Sequence, residues 1–311
     1  MERIEIPGGA SYSPVALTDV IVGAPLASRL LLGAAGPGQL VSNVALGLYA
    51  TSSAVDWASR WGVRPVDFKA TYDADVDSLE EMPEEAREWE VRLLASAMNE
   101  DYTEEAPERK DLAKLVNQVL TDYIASITQQ EVVTSSEIRS FTIAKLVFPF
   151  AQGTCDMISG DIAIFNDSGV FLPHIIAHEF CHRKGYMKEL HAQVLAYLAL
   201  RTSDHPLLVQ SARAERLHRH LAVLADNDPV RFLGLLETAC LRKELHRAFS
   251  QLRPDGKPPG MISNAMRAMY DWRMRLSGQN GLSDYDEGFT NFLWTFGRST
   301  RADADVAQAV V

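Results

Sequence analysis

Three histidines, His174, His178 and His182, recur at every fourth position, and the last two enclose a glutamate in the pentapeptide HEFCH. Residues four apart on an α-helix lie one above the other, about one turn along the axis. His178 and His182 can therefore aim two imidazoles at one point, which is what a divalent metal requires. Glu179 sits about 100° around the helix from His178. From there it can hold and deprotonate a water at the metal without being a ligand. Two histidines still leave a hydrolytic site one protein ligand short.

Geometry narrows the search for the third. On an unbroken helix Glu189 would share the histidine face but lie about 10 Å along the axis from His182. A metal–oxygen bond of about 2 Å excludes that arrangement. The chain must turn, and Gly185 permits it as a helix C′ residue with positive φ. A second helix then starts near Lys188 with Glu189 in its first turn. His191 is the rival third ligand, since imidazole serves zinc equally well. His174 reads as a first-turn residue near the site or a core histidine, with ligation the lesser alternative. Lys188 stands where a metzincin places its third histidine, so that pattern is excluded. Cys181 reads as a small hydrophobe of the core.

The rest of the chain must position these groups. Its 311 residues are 47% hydrophobic and 23% charged, the profile of a folded globular protein with a sizeable core. A net charge of −11 argues against nucleic acid as a partner. The acidity is local: residues 73–108 hold fourteen carboxylates against Arg87 and Arg92, a pattern read as a solvated face and loop. Cys155, Cys181 and Cys240 have no paired spacing, which suits a reducing compartment. The start, MERIEIPGG, has no secretory pattern.

From Leu30 to Val55 no residue is charged. Gly36, Pro37, Gly38 and several serines dilute its apolarity, so the stretch reads as a buried or interfacial helical hairpin broken at Gly36–Gly38. Helical spacing predicts helices over 84–98 and 108–128. Residues 138–150 are rich in β-formers, and Met157–Phe165 reads as a short strand, an edge for an extended substrate. From Pro173 to about Leu276 the pattern is helical, with breaks at Asp204–Pro206, Asp226–Pro229 and Pro254–Gly260. A last helix is expected over 286–296, before a fraying tail. The division expected is an N-terminal helical and acidic region, 1–135, a catalytic domain, 136–300, and a tail, 301–311.

HEFCH followed by Glu189-Leu190-His191-Ala192 resembles the gluzincin pattern, HExxH with a downstream ExxA helix. The run "HEFCHRKGYMKELHAQVLAYLA" and the later "YDWRMRLSGQNGLSDYDEGFTNFLWTF" (270–296) are similar to an uncharacterised bacterial family of zinc-peptidase-like, often membrane-anchored proteins. The two matches cover roughly residues 140–296. His191 departs from an acid at that place, Gln193 from Asn or Asp, and the N-terminal spans look degraded.

The resemblance implies a zincin-like fold, with His178, His182 and Glu189 holding one zinc per chain and Glu179 as general base. Tyr285 is its candidate oxyanion stabiliser, with Tyr270, Tyr197 and Tyr186 as rivals. The expectation is an α+β, mostly helical metallohydrolase acting on peptide or protein substrates, cytoplasmic and at most peripheral to a membrane. The alternatives are an HExxH enzyme acting on a non-peptide small molecule and a catalytically silent zinc-stabilised adaptor.

Overall fold

A computed structural model describes residues 1–33, 36–143, 145, 151–253, 268, 271, 272, 281 and 286–300. In chain order the elements are β1 (Glu2–Glu5), α1 (Leu17–Leu32), α2 (Pro37–Ser59), α3 (Phe68–Tyr72), α4 (Glu84–Glu100), α5 (Arg109–Thr128) and β2 (Gln130–Val133). There follow β3 (Gly153–Cys155), β4 (Ile162–Ile164), α6 (Leu172–Arg183), α7 (Glu189–Arg201), α8 (Pro206–Leu224), α9 (Pro229–Thr238), α10 (Lys243–Gln251) and α11 (Glu287–Thr300). The class is α+β and mostly helical, as the spacing predicts. The break before Pro254–Gly260, Tyr270, Tyr285, residues 144 and 146–150 of the β-rich stretch, and the tail 301–311 lie outside the described residues.

The chain forms two compact units, each drawing on residues before and after position 135. One comprises Met1–Arg64, Glu108–Asp167 and Glu179–Met187; the other comprises Pro65–Pro107, Ser168–His178 and Lys188–Val311. Helix α6 is continuous across the division.

In the first unit, β1 and β2 pair in parallel, Glu2 opposite Gln130 and Glu5 opposite Val133, and α5 packs on β2. Leu112, Val116, Leu120 and Ile124 recur every fourth residue and are buried, the stripe that makes α5 amphipathic. The stretch expected as a buried or interfacial hairpin is a hairpin, α1 against α2, but not a buried one. Leu30 and Leu31 are 77% and 82% exposed, and Leu40 and Leu48 are exposed as well. Of the break expected at Gly36–Gly38, only Gly36 (φ 63°) lies outside the helices; α1 ends at Leu32, before Gly33 (φ 87°). Pro37 takes the first turn of α2, a position that starts a helix rather than ending one. Close contact comes from small polar residues: the Gly38 carbonyl accepts from Ser28 Oγ at 3.1 Å and Ser42 Oγ at 2.9 Å. No helix among the described residues is long and apolar enough to cross a membrane.

The strand expected over Met157–Phe165 shrinks to β4. Its first half is a turn, with the Asp156 side chain accepting from Ile158 N at 3.1 Å and Ser159 Oγ at 2.5 Å. Such local bonds compete with strand pairing. Nor is β4 an edge. It pairs antiparallel with β3 on one side, and on the other Arg139 N donates to Ile162 O while Ile164 N donates to Arg139 O, both at 2.8 Å. The outer edge belongs to β3, which pairs with no second strand among the described residues.

The second unit is a helical core. Val91, Leu94 and Met98 of α4, Leu217 and Leu221 of α8, Phe232 and Leu236 of α9 and Phe249 of α10 form one buried cluster. Proline and caps set the boundaries: Pro206 and Pro229 open α8 and α9, and the Asp228 side chain accepts from Arg231 N at 2.7 Å.

Candidate metal centre

Pro173 sits in the first turn of α6, where its missing N–H costs nothing. Ile176, Ala177, Phe180 and Cys181 of this helix are fully buried, which bears out the core reading of Cys181. The polar residues between them are buried too: His174, His178, Glu179 and His182 are all below 10% exposure. Polar groups so placed need partners.

The helix ends as its glycine predicts. Gly185 has φ 105°. Its N–H donates to His182 O at 3.0 Å, and Tyr186 N donates to Cys181 O at 3.0 Å. This is the pair of bonds that closes a helix in a Schellman motif. Lys188 is then the extended N-cap of α7, and Glu189 its first residue.

The reversal brings the two arms together. His178 Nε2 and Glu189 Oε2 lie 3.1 Å apart. One ring nitrogen each from His178 and His182 and one carboxylate oxygen of Glu189 all lie within 4.8 Å of one another. His182 is oriented by the turn itself, its Nδ1 standing 2.9 Å from the Tyr186 carbonyl. A proton on Nδ1 donated there leaves Nε2 as the lone-pair nitrogen, the usual outer support of a metal-binding histidine. Tetrahedral nitrogen and oxygen ligands at about 2.0–2.1 Å from zinc lie about 3.4 Å apart. The donor types are ones zinc takes, and the His178–Glu189 separation of 3.1 Å is close to that value.

Glu179 is not in the ligand set. Its carboxylate packs on β3, so close to Gly153 that a methyl group there would stand 3.0 Å from Oε1. Cys155, two residues on, is buried beside the same carboxylate. Burial, then the charge of Glu179, push its thiol up, so it stays protonated. Neither β3 nor Gly153 gave a signal in the sequence.

His191 is not in the ligand set either. Its ring stacks on Phe68, with centroids 4.1 Å apart and planes 28° apart. Burial and then Lys188 push its pKa down to about 4. His174 is likewise outside the set, with Nδ1 3.8 Å from Glu215 Oε2, and burial first of all pushes its pKa down to about 4. Glu215 gathers Gln193 Nε2 and Arg219 Nε on one oxygen, both at 2.6 Å. Burial alone would raise this carboxyl, but the charges of Arg219, His174 and His218 hold it well below its usual value. A buried, ionised network thus backs the helices that carry His178 and Glu189.

Arg183 and Lys184, charged in the sequence, are buried at the end of α6. Arg183 donates to Gly160 O at 2.8 Å and Ser135 O at 2.7 Å. Lys184 Nζ donates to Thr121 Oγ1 and Val132 O, both at 2.8 Å, and burial pushes its pKa down to about 7. Of the tyrosines weighed as oxyanion stabilisers, Tyr285 and Tyr270 lie outside the described residues. The Tyr197 hydroxyl accepts from Arg216 Nη1 at 3.2 Å, and Tyr186 donates to Arg64 O at 3.3 Å.

Residues 167–293 match the model of a family described as a protein of unknown function (DUF3810). No curated protein and no solved structure matches the chain. The matched segment contains His178, Glu179, His182 and Glu189.

Proposed function

We propose that this chain is a zinc-dependent hydrolase of peptide bonds with a zincin-like active-site helix. The observation that carries the reading is the convergence of one nitrogen each from His178 and His182 and one oxygen of Glu189 within 4.8 Å. Among the described residues the set has three protein ligands, one fewer than a closed structural site takes. Glu179 stands next to His178 on the same helix, a carboxylate that a purely structural site does not need.

His178, His182 and Glu189 would hold the metal. When bound, zinc supplies Lewis acidity toward a water and a substrate carbonyl. Glu179 accepts the proton of the attacking water and passes it to the leaving amine as the C–N bond breaks. The outer edge of β3 supports a peptide as substrate. Phe165 N donates to Gln152 O at 2.9 Å, which makes Gly153 and Ile164 the non-bonded pair of the antiparallel ladder. The N–H and C=O of Gly153 therefore face away from β4, as an added extended strand requires. The oxyanion role remains assigned to Tyr285 from its sequence position.

The test is metal analysis of purified protein with a peptide-library cleavage screen. About one zinc per chain and cleavage abolished by chelation are expected. A chain that binds no metal after zinc-replete purification, or that cleaves no peptide when zinc-loaded, overturns the reading.

A further inference from the structure

We propose that Gly153 is a positioning residue for the Glu179 carboxylate, an inference that rests on the reading of Glu179 as proton acceptor. Glycine in a strand is a cost, because it orders a permissive backbone and offers no side chain to pack. Gly33, Gly36 and Gly185 are explained by backbone, since each has positive φ. Gly153 is not among the positive-φ residues, so any L-residue could adopt its conformation. What it supplies is space.

That space is already filled. A Cβ at position 153 would lie 3.0 Å from Oε1 and 3.2 Å from Cγ of Glu179, and 3.0 Å from Cδ1 of Ile164. Carbon contacts are relaxed at about 3.5–4.0 Å. The β3 backbone thus forms a wall against the carboxylate, and Glu179, only 7% exposed, cannot swing toward the strand. A methyl at position 153 must displace Ile164, Glu179 or both. Ile164 is itself fully buried on β4, while Glu179 has the longer and less branched chain. The carboxylate is the group that yields.

The contact calls for a shift of a few tenths of an ångström, and a displacement of about 1 Å in a catalytic group can cost on the order of 100-fold in rate. In zinc-loaded protein, Gly153→Ala is therefore expected to lower kcat severalfold, with KM and zinc content unchanged. Glu179→Asp withdraws the carboxylate by one methylene and vacates the contact. Introducing Gly153→Ala into the Glu179→Asp background should cost less than about twofold further. Ile164→Val, which removes the Cδ1 contact, serves as the packing control. It should recover only part of the unfolding midpoint lost in Gly153→Ala and none of the kcat.

The proposal is overturned if Gly153→Ala keeps the wild-type kcat, if it loses zinc, if Ile164→Val restores kcat, or if the 153 and 179 effects simply multiply. Should the wild-type chain cleave no peptide, the peptidase reading fails and the contact is judged on unfolding midpoints alone. Gly153→Ala must then lower the midpoint more with Glu179 present than in a Glu179→Ala background. Equal lowering in both overturns it.

Discussion

His178 Nε2 and Glu189 Oε2 approach to 3.1 Å across eleven positions of sequence. The approach depends on one helix ending at Arg183 and another beginning at Glu189, with the glycine-capped turn between them.

Glu189→Gln replaces a charged ligand with a weak neutral one. Removing an outer partner of a metal ligand costs about 10–100-fold in affinity, so losing the ligand charge itself is expected to cost at least that much. Zinc competition against a chromogenic chelator measures it. An unchanged affinity would remove Glu189 from the site.

Gly185 has φ 105°, yet a Cβ there meets nothing nearer than 3.6 Å. The obstacle to a larger residue is backbone conformation, not room. Gly185→Ala is expected to destabilise the chain by about 1–3 kcal/mol and to weaken zinc binding, because the turn brings Glu189 back. Urea unfolding and zinc titration of the same preparation check both. A stable variant with intact zinc affinity would show that the reversal does not need glycine.

The period of four in HEFCH and the glycine after it point to His178, His182 and, for the third group, Glu189 or His191, because helix geometry and a C′ glycine are local rules. What sequence could not supply is non-local. Arg183 and Lys184 are buried against partners distant in sequence, at Ser135, Gly160, Thr121 and Val132. Strand β3 was missed because Gly-Thr-Cys has no alternation to find, and its neighbour Ile162–Ile164 read as longer because Asp156 and Ser159 fold the preceding residues into a turn. Nor does local sequence show that the His191 ring stacks on Phe68, more than a hundred residues earlier.

Lys184 gives a pH signature. Burial pushes its pKa down to about 7 from 10.5. Between these values the unfolded chain keeps a proton that the folded chain lacks, so the stabilisation is present above pH 10.5 and lost as pH falls toward 7. In metal-free protein, stability should rise between pH 7 and 10, by up to about 1.4 kcal/mol per pH unit from this group. Lys184→Met should lack that rise. Parallel slopes in denaturant unfolding at pH 7, 8, 9 and 10 would refute the assignment.

The exposed leucines of the α1–α2 hairpin face outward, while its helix contact is made by Ser28, Gly38 and Ser42. The account expects any membrane association to be peripheral and released by high-salt and alkaline washes. Recovery only in a detergent-dependent fraction after both washes would contradict it.

The central claim separates the proton acceptor from the ligands: Glu179 acts on water, whereas His178, His182 and Glu189 hold zinc. Glutamine is nearly isosteric with glutamate and close to it in helix propensity, but it cannot take a proton. Measuring zinc content and peptide hydrolysis of Glu179→Gln beside the wild type tests the claim directly. The account predicts about one zinc per chain in both and a fall in turnover of at least about 100-fold in the variant. A variant that keeps its turnover, or that loses its zinc, would contradict it.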